Sequence, residues 1–236
     1  MIQINCDLGE GIPDEESIFP LIDAASIACG GHFGDESSLR KSLISAKTSG
    51  IKVGAHPSYP DFENFGRKSL KIDFETLKKS LLNQINLFLK VAQSLELAME
   101  HIKFHGALYN DAAANPELAN SLCEFLKSKF PDTCLFVPPH SQTEKYAKKY
   151  GLKTRLEIFG DRAYQDNYQL LPRTKEKALF TKKEEIEKHL KPILEKGLIH
   201  SSSGKLLPVK AETLCFHGDN PGLIEFLPSI RKKYWK

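Results

Sequence analysis

The ionisable side chains of this sequence fall in short clusters, each closing a brief apolar run. Asn5, Asp7 and Glu10 lie in and just after IQINC, His32 and Asp35 follow SIAC within CGGHFGD, and His56 follows KVGA within AHPSYPD. Lys103 and His105 end HIKFH with Asn110 just beyond, Glu157, Asp161 and Arg162 close RLEIF, and His217 and Asp219 close TLCFH. Carboxylates, imidazoles and a lysine brought into one cleft supply general acid–base chemistry, because burial and mutual proximity tune their pKa values. Arg67 in FGRKSL and Arg162 in FGDRAY suit an anionic ligand, since guanidinium forms paired hydrogen bonds to carboxylate and phosphate. Asp7, His32 and His56 form a conceivable three-ligand metal set, although no HxH or HExxH spacing supports it. The glycines of HGALYN and HGDNPG, Gly106 and Gly218, offer backbone N–H groups to an anion and serve equally well as turn residues.

Other residues have blander readings. Cys6, Cys29, Cys134 and Cys215 sit in apolar runs, and an odd total of five cysteines without a CxxC pair points to reduced thiols. Tyr59, Tyr109 and Tyr164 read as packing residues, and His101, His140, His189 and His200 receive no role. Gly204-Lys205-Leu206 is no Walker loop, because Ile199 stands where the upstream glycine is needed and no Ser or Thr follows the lysine.

What must position these groups is a set of short strands alternating with helices. The strand candidates are 2–6, 26–29, 52–55, 101–105, 134–137, 155–159 and 213–217. The clearest helix runs over 73–96, with Asp73 as N-cap and Leu77, Leu81, Ile85, Phe88, Leu89 and Ala92 at three- and four-residue spacing. Segments 36–48, 116–129, 141–149 and 183–196 also read as helices. Repeated strand-then-helix order implies parallel strands and a closed, TIM-like (β/α) barrel of about seven strands, forming one domain over residues 1–236. On that fold nearly every candidate residue sits at the carboxyl end of a strand, the rim where such barrels assemble active sites. Lys103 and His105, two apart on one strand, share a face and point inward together. Segment 161–182 has no clean periodicity and reads as a functional loop or lid.

Composition excludes several classes. A hydrophobic content of 41% over 236 residues is enough for a sizeable core, and a net charge of +3 is too small for a nucleic-acid footprint. Arg231-Lys232-Lys233 reads as a solvated tail. No apolar run reaches membrane-spanning length and the start lacks a signal-peptide pattern, so a cytoplasmic protein without a membrane partner is expected.

Six motifs in order, NCDLGEG, IACGGHFGD, GAHPSYPDFENFGR, KFHGALYN, FGDRAY and LCFHGDNPG, resemble those of the LamB/YcsF family, the A subunits of bacterial ATP-dependent 5-oxoprolinases. The resemblance spans Asn5 to Gly222. It implies a barrel related to the glycoside hydrolase and deacetylase superfamily, opening of 5-oxo-L-proline to L-glutamate with hydrolysis of ATP to ADP and phosphate, and two partner subunits, B and C. Carried over motif by motif, it implies Asp7, Glu10, His32, Asp35, His56, Arg67, Lys103, His105, Asp161, Arg162, His217 and Asp219 as site residues without settling which of them does chemistry; our own assignment gives catalysis to Asp7, Glu10, His32, Lys103, His105 and His217. The same assignment gives substrate or phosphate binding to Asp35, His56, Arg67, Asn110, Asp161, Arg162 and Asp219, with Mg expected to accompany ATP. Three departures stand out: Gly31 and Phe33 flank His32 where the family carries Phe and Ala, Ser26 replaces an Asn, and the loop 12–16 is short.

A lactam closed in a five-membered ring resists hydrolysis, so its opening benefits from phosphorylation by ATP. Lys103, Arg67 and Arg162 suit the phosphates, and His32, His105, His217, Asp7 or Glu10 suit the base. On this reading Asp7→Asn and Lys103→Met abolish coupled turnover without disturbing the fold, and the glycines of CGGHFGD keep bulk away from a ligand. Two alternatives stand beside it: a metal-dependent amide or acyl-sugar hydrolase of deacetylase type, and a non-catalytic assembly subunit.

Overall fold

The computed structural model describes residues 2–235. Its strands are β1 (Gln3–Leu8), β2 (Ala24–Ala28), β3 (Lys52–His56), β4 (Met99–Ile102), β5 (Cys134–Val137), β6 (Thr154–Phe159), β7 (Leu198–His200), β8 (Leu206–Pro208) and β9 (Thr213–His217). All but β7 and β8 are parallel and close a barrel in the order β1-β2-β3-β4-β5-β6-β9, with β9 paired to β1. The helices are α1 (Glu36–Ser49), α2 (Phe74–Ser94), α3 (Gly106–Ala114), α4 (Pro116–Lys129), α5 (Gln142–Lys149), α6 (Lys183–Lys196) and α7 (Leu223–Tyr234). The seven-stranded α/β barrel read from the strand-helix alternation is therefore the fold.

Period-two alternation divides each strand between two environments. On β1, Ile4, Cys6 and Leu8 join the apolar core, while Asn5 and Asp7 meet residues of β6, β9 and the end of β4 across the barrel. The helices cover the outside with apolar stripes. α2 starts where Asp73 accepts from the Thr76 N–H, and it buries Leu77, Leu81, Ile85 and Phe88. Each such side chain, taken from water, contributes about 1.5–3 kcal/mol.

Several elements differ from the sequence expectation. β4 ends at Ile102, yet the ladder continues through it: the Lys103 N–H donates to the Ala55 carbonyl at 3.0 Å and the His105 N–H to the Pro57 carbonyl at 2.9 Å. α3, α7 and the β7–β8 hairpin have no counterpart in the sequence reading. The basic end is no solvated tail, because α7 buries Leu223, Phe226, Leu227 and Ile230 and Arg231 donates to Asp23 and to the Leu21 carbonyl. Segment 161–182 is irregular, and isolated bridges Arg162↔Leu179 and Tyr164↔Leu170 hold it. No helix among the described residues is long and apolar enough to cross a membrane.

Candidate active site at the carboxyl rim

The barrel interior is polar where such barrels are usually filled with branched apolar side chains. At its centre Lys103 Nζ lies 2.8 Å from Asp7 Oδ1, 3.0 Å from Glu157 Oε1 and 3.0 Å from Cys215 Sγ, with Asn5 Oδ1 at 3.5 Å. Asn5 in turn donates to Glu157 Oε1 at 3.0 Å and to Thr213 Oγ1 at 2.7 Å. The Lys103 side chain is only 1% exposed, so its charge survives through these partners: burial opposes it, and Asp7, Cys215 and Glu157 hold its pKa well above normal. Burial would likewise raise Asp7, but His56 and Lys103 keep its carboxyl well below the usual range. Glu157 is pushed up, chiefly by burial, against the pull of Lys103.

Above this layer the imidazoles gather. His32 Nε2 is 3.0 Å from Glu10 Oε1, His105 Nδ1 is 3.2 Å from the same oxygen, and His56 Nε2 is 3.4 Å from Asp7 Oδ2 and 3.9 Å from Glu10 Oε1. The His32 and His105 rings stack at 3.6 Å between centroids. Burial lowers both of their pKa values, and the same imidazoles outweigh burial at Glu10, whose carboxyl is held far below its ordinary value. On the far side of the rim Asp161 accepts from the His217 ring, Nδ1 to Oδ1 at 2.9 Å, from the His217 N–H at 3.0 Å and from Asn220 Nδ2 at 3.0 Å. Burial alone would raise Asp161, but His217 keeps it below normal. Nδ1 is thereby oriented toward Asp161, which leaves Nε2 as the ring nitrogen without a protein partner.

A cleft of about 810 Å³ opens above these groups, lined by Asp7, Glu10, Lys103, His105 and His217 below and by segment 165–174 above. Across its lip Asp219 accepts from Arg67 Nη2 at 2.6 Å and from Arg173 Nη1 at 2.9 Å, tying the loop after β3, segment 161–182 and the end of β9 together. Burial would raise Asp219, and Arg173 and Arg67 bring it below its usual value.

The structure thus brings Asp7, Glu10, His32, His56, Lys103, His105, Asp161 and His217 into one interior cluster and sets Arg67 and Asp219 at its lip. Three expectations need correction. Asp35 does not face the cleft: it is exposed, and its carboxylate caps α1 by accepting from the Ser37 and Ser38 N–H groups. Arg162 lines the cleft, but its guanidinium is not free as a clamp, because Nε and Nη2 donate to the Ala178 and Leu171 carbonyls and so hold the overlying loop, with burial lowering its pKa to about 10. Asn110 reaches the cleft wall but its amide donates to the Gly106 carbonyl of its own helix.

The metal set is also rearranged: the group whose donor atoms lie within 4.8 Å of one another is Glu10, His56 and His105, with Asp7 flanking it and His32 outside. The glycines of CGGHFGD serve packing, since a Cβ on Gly31 would lie 2.2 Å from Gln84 Oε1 and Gly34 turns with φ +84°. Ser26, the departure on β2, shares a 3.0 Å hydrogen bond with the buried His101.

Sequence reasoning placed Glu157 among the strand-end clusters without giving it a role, and it missed Arg173 altogether. Glu157 carried a signal, because it alternates inward on RLEIF as Lys103 does on its own strand. Arg173 carried none, lying in an aperiodic segment.

A parallel β/α barrel with carboxylates and imidazoles packed together at its carboxyl rim defines an enzyme-like class of fold and site. The profile of the LamB/YcsF family matches residues 2–236, and the chain belongs to that family. It is 36% identical over 233 residues to the A subunit of 5-oxoprolinase from Histophilus somni (strain 129Pt), covering 98% of this chain and 94% of that protein. The crystal structure of a lactam utilization protein from Thermus thermophilus superposes with a TM-score of 0.89 at 31% identity, over 98% of this chain and 96% of that one. A GH18 chitinase from Pseudoalteromonas aurantia shares the fold alone, at a TM-score of 0.56 and 9% identity, over 98% of this chain and 99% of that one.

Proposed function

We propose that this chain works in 5-oxoproline metabolism as the A subunit of an ATP-dependent 5-oxoprolinase, in the cytoplasm and together with B and C subunits. Relatives named as the A subunit of 5-oxoprolinase and as a lactam utilization protein support the reading. The observation that carries it in the structure is the cleft itself: a histidine whose ring is oriented by Asp161, His217, faces the same space as two rim arginines joined through Asp219. Arg67 and Arg173 suit the substrate carboxylate, and His217, steadied by Asp161, suits the role of base toward water.

The reaction balances as follows. The γ-phosphoryl group of ATP moves to the lactam oxygen, releasing ADP. Water adds to the activated carbon as its proton passes to the base. The ring C–N bond then breaks with return of a proton to nitrogen, leaving a γ-glutamyl phosphate, and a second water releases phosphate and L-glutamate. Magnesium accompanies ATP as its counter-ion.

The test is glutamate and ADP release by the chain reconstituted with B and C subunits on 5-oxo-L-proline. Equal release of the two, dependent on all three subunits, supports the reading, and glutamate formation without ATP overturns it. That second outcome belongs to the alternative of a metal-dependent amide or acyl-sugar hydrolase, which the convergence of Glu10, His56 and His105 favours.

A further inference from the structure

The hydrogen-bond partners of two rim histidines leave an electrostatic problem. His56 Nδ1 lies 2.8 Å from the Lys103 carbonyl oxygen, and His105 Nε2 lies 3.0 Å from the Phe65 carbonyl oxygen. Carbonyl oxygens only accept, so each ring directs its N–H to the backbone. When both rings are neutral, the remaining nitrogens, His56 Nε2 and His105 Nδ1, face one another at 3.0 Å as two lone pairs. Glu10 Oε1 faces both, at 3.9 Å and 3.2 Å, and Asp7 Oδ2 lies 3.4 Å from His56 Nε2. All four atoms belong to buried residues, and the local carboxylates Asp7, Glu10 and Glu157 outnumber the one ammonium, Lys103. His32 Nε2, 3.0 Å from Glu10 Oε1, supplies a hydrogen to that oxygen alone, so the two facing nitrogens repel unless a cation, a metal ion or an added proton, sits between them.

We infer that Glu10, His56 and His105 bind a divalent transition-metal ion. The donor spacing fits one: ligands about 2.1 Å from a tetrahedral centre lie about 3.4 Å apart, and the three separations here are 3.0, 3.2 and 3.9 Å. Two imidazoles and one carboxylate suit zinc or a similar first-row ion better than magnesium, a hard cation that prefers oxygen ligands in octahedral geometry. The carbonyls behind His56 and His105 fix the ring orientation in the way that outer partners of metal-bound histidines do. Three protein donors leave a coordination position for water or substrate, and Glu10 and His105 line the cleft. This inference stands apart from the 5-oxoprolinase reading, since it concerns occupancy of the site and neither substrate nor ATP.

The experiment uses the full chain, stripped with chelator and titrated with Co²⁺ while visible ligand-field absorption and bound metal are measured. One equivalent should bind with imidazole-type absorption. Affinity should fall at least about 100-fold in Glu10→Gln and in His105→Gln, more than the roughly 10–100-fold seen on losing an outer partner, with far-ultraviolet circular dichroism unchanged in at least one of the two. Absence of binding by the wild-type chain overturns the inference and assigns the space between the rings to a shared proton. Binding of equal strength in a folded Glu10→Gln or His105→Gln variant overturns it as well, by placing the metal elsewhere.

Discussion

Replacing Lys103 by Met tests the polar barrel interior directly. The methionine matches the lysine stem in length but leaves Asp7 and Glu157, which sit 2.8 and 3.0 Å from Nζ, without their cation. Both carboxylates belong to buried residues, so solvent cannot compensate. Removing one member of a buried ion pair costs about 3–5 kcal/mol, chiefly as the penalty of the stranded charge. For a chain of 236 residues that amounts to a fall in Tm of roughly 10 °C. Urea unfolding followed by circular dichroism at pH 7 measures it. The double variant Lys103→Met/Glu157→Gln removes one stranded charge while keeping an oxygen for Asn5, and should recover about half of the loss. A single variant within about 1 kcal/mol of wild type, or a double variant no more stable than the single one, would refute this account of the interior. The result also bears on the sequence-based expectation that Lys103→Met spares the fold, since a buried lysine makes a loss of stability the expected cost.

Three further outcomes are expected. His189 is buried, its Nε2–H donates to the Phe159 carbonyl, and burial lowers its pKa to about 4. The unfolded chain therefore binds the extra proton first as pH falls from 6.5 to 4, and wild type should lose roughly 3 kcal/mol more than His189→Gln between pH 7 and pH 4; a gap that does not change with pH contradicts it. Arg173→Gln breaks one arm of the Asp219 link and should raise KM for 5-oxoproline about tenfold or more with little change in kcat, given the worth of a charged hydrogen bond; an unchanged KM in steady-state assays of the reconstituted enzyme removes Arg173 from substrate binding. Asp161→Asn loses the carboxylate that fixes the His217 tautomer and should lower kcat by about 10²–10⁴, and full turnover would show that His217 is not the base.

Sequence alone determined the alternation of short strands and helices, because periods of 2 and 3.6 are local properties that each segment carries by itself. It also determined that titratable groups end the strands, and in a parallel barrel those ends share one rim. It misjudged elements whose identity depends on what covers them. α7 looks like a basic tail until Leu223, Phe226, Leu227 and Ile230 find the barrel wall, and Asp35 looks like a site residue until it caps α1. Which imidazole touches which carboxylate was decided only in three dimensions. Glu10 and His105 stand 95 positions apart in the chain, and only closure of the barrel and the turn of the His105 ring onto a particular carbonyl bring them to 3.2 Å. Pairing of that kind depends on distances of ångströms across strands, which no local pattern encodes.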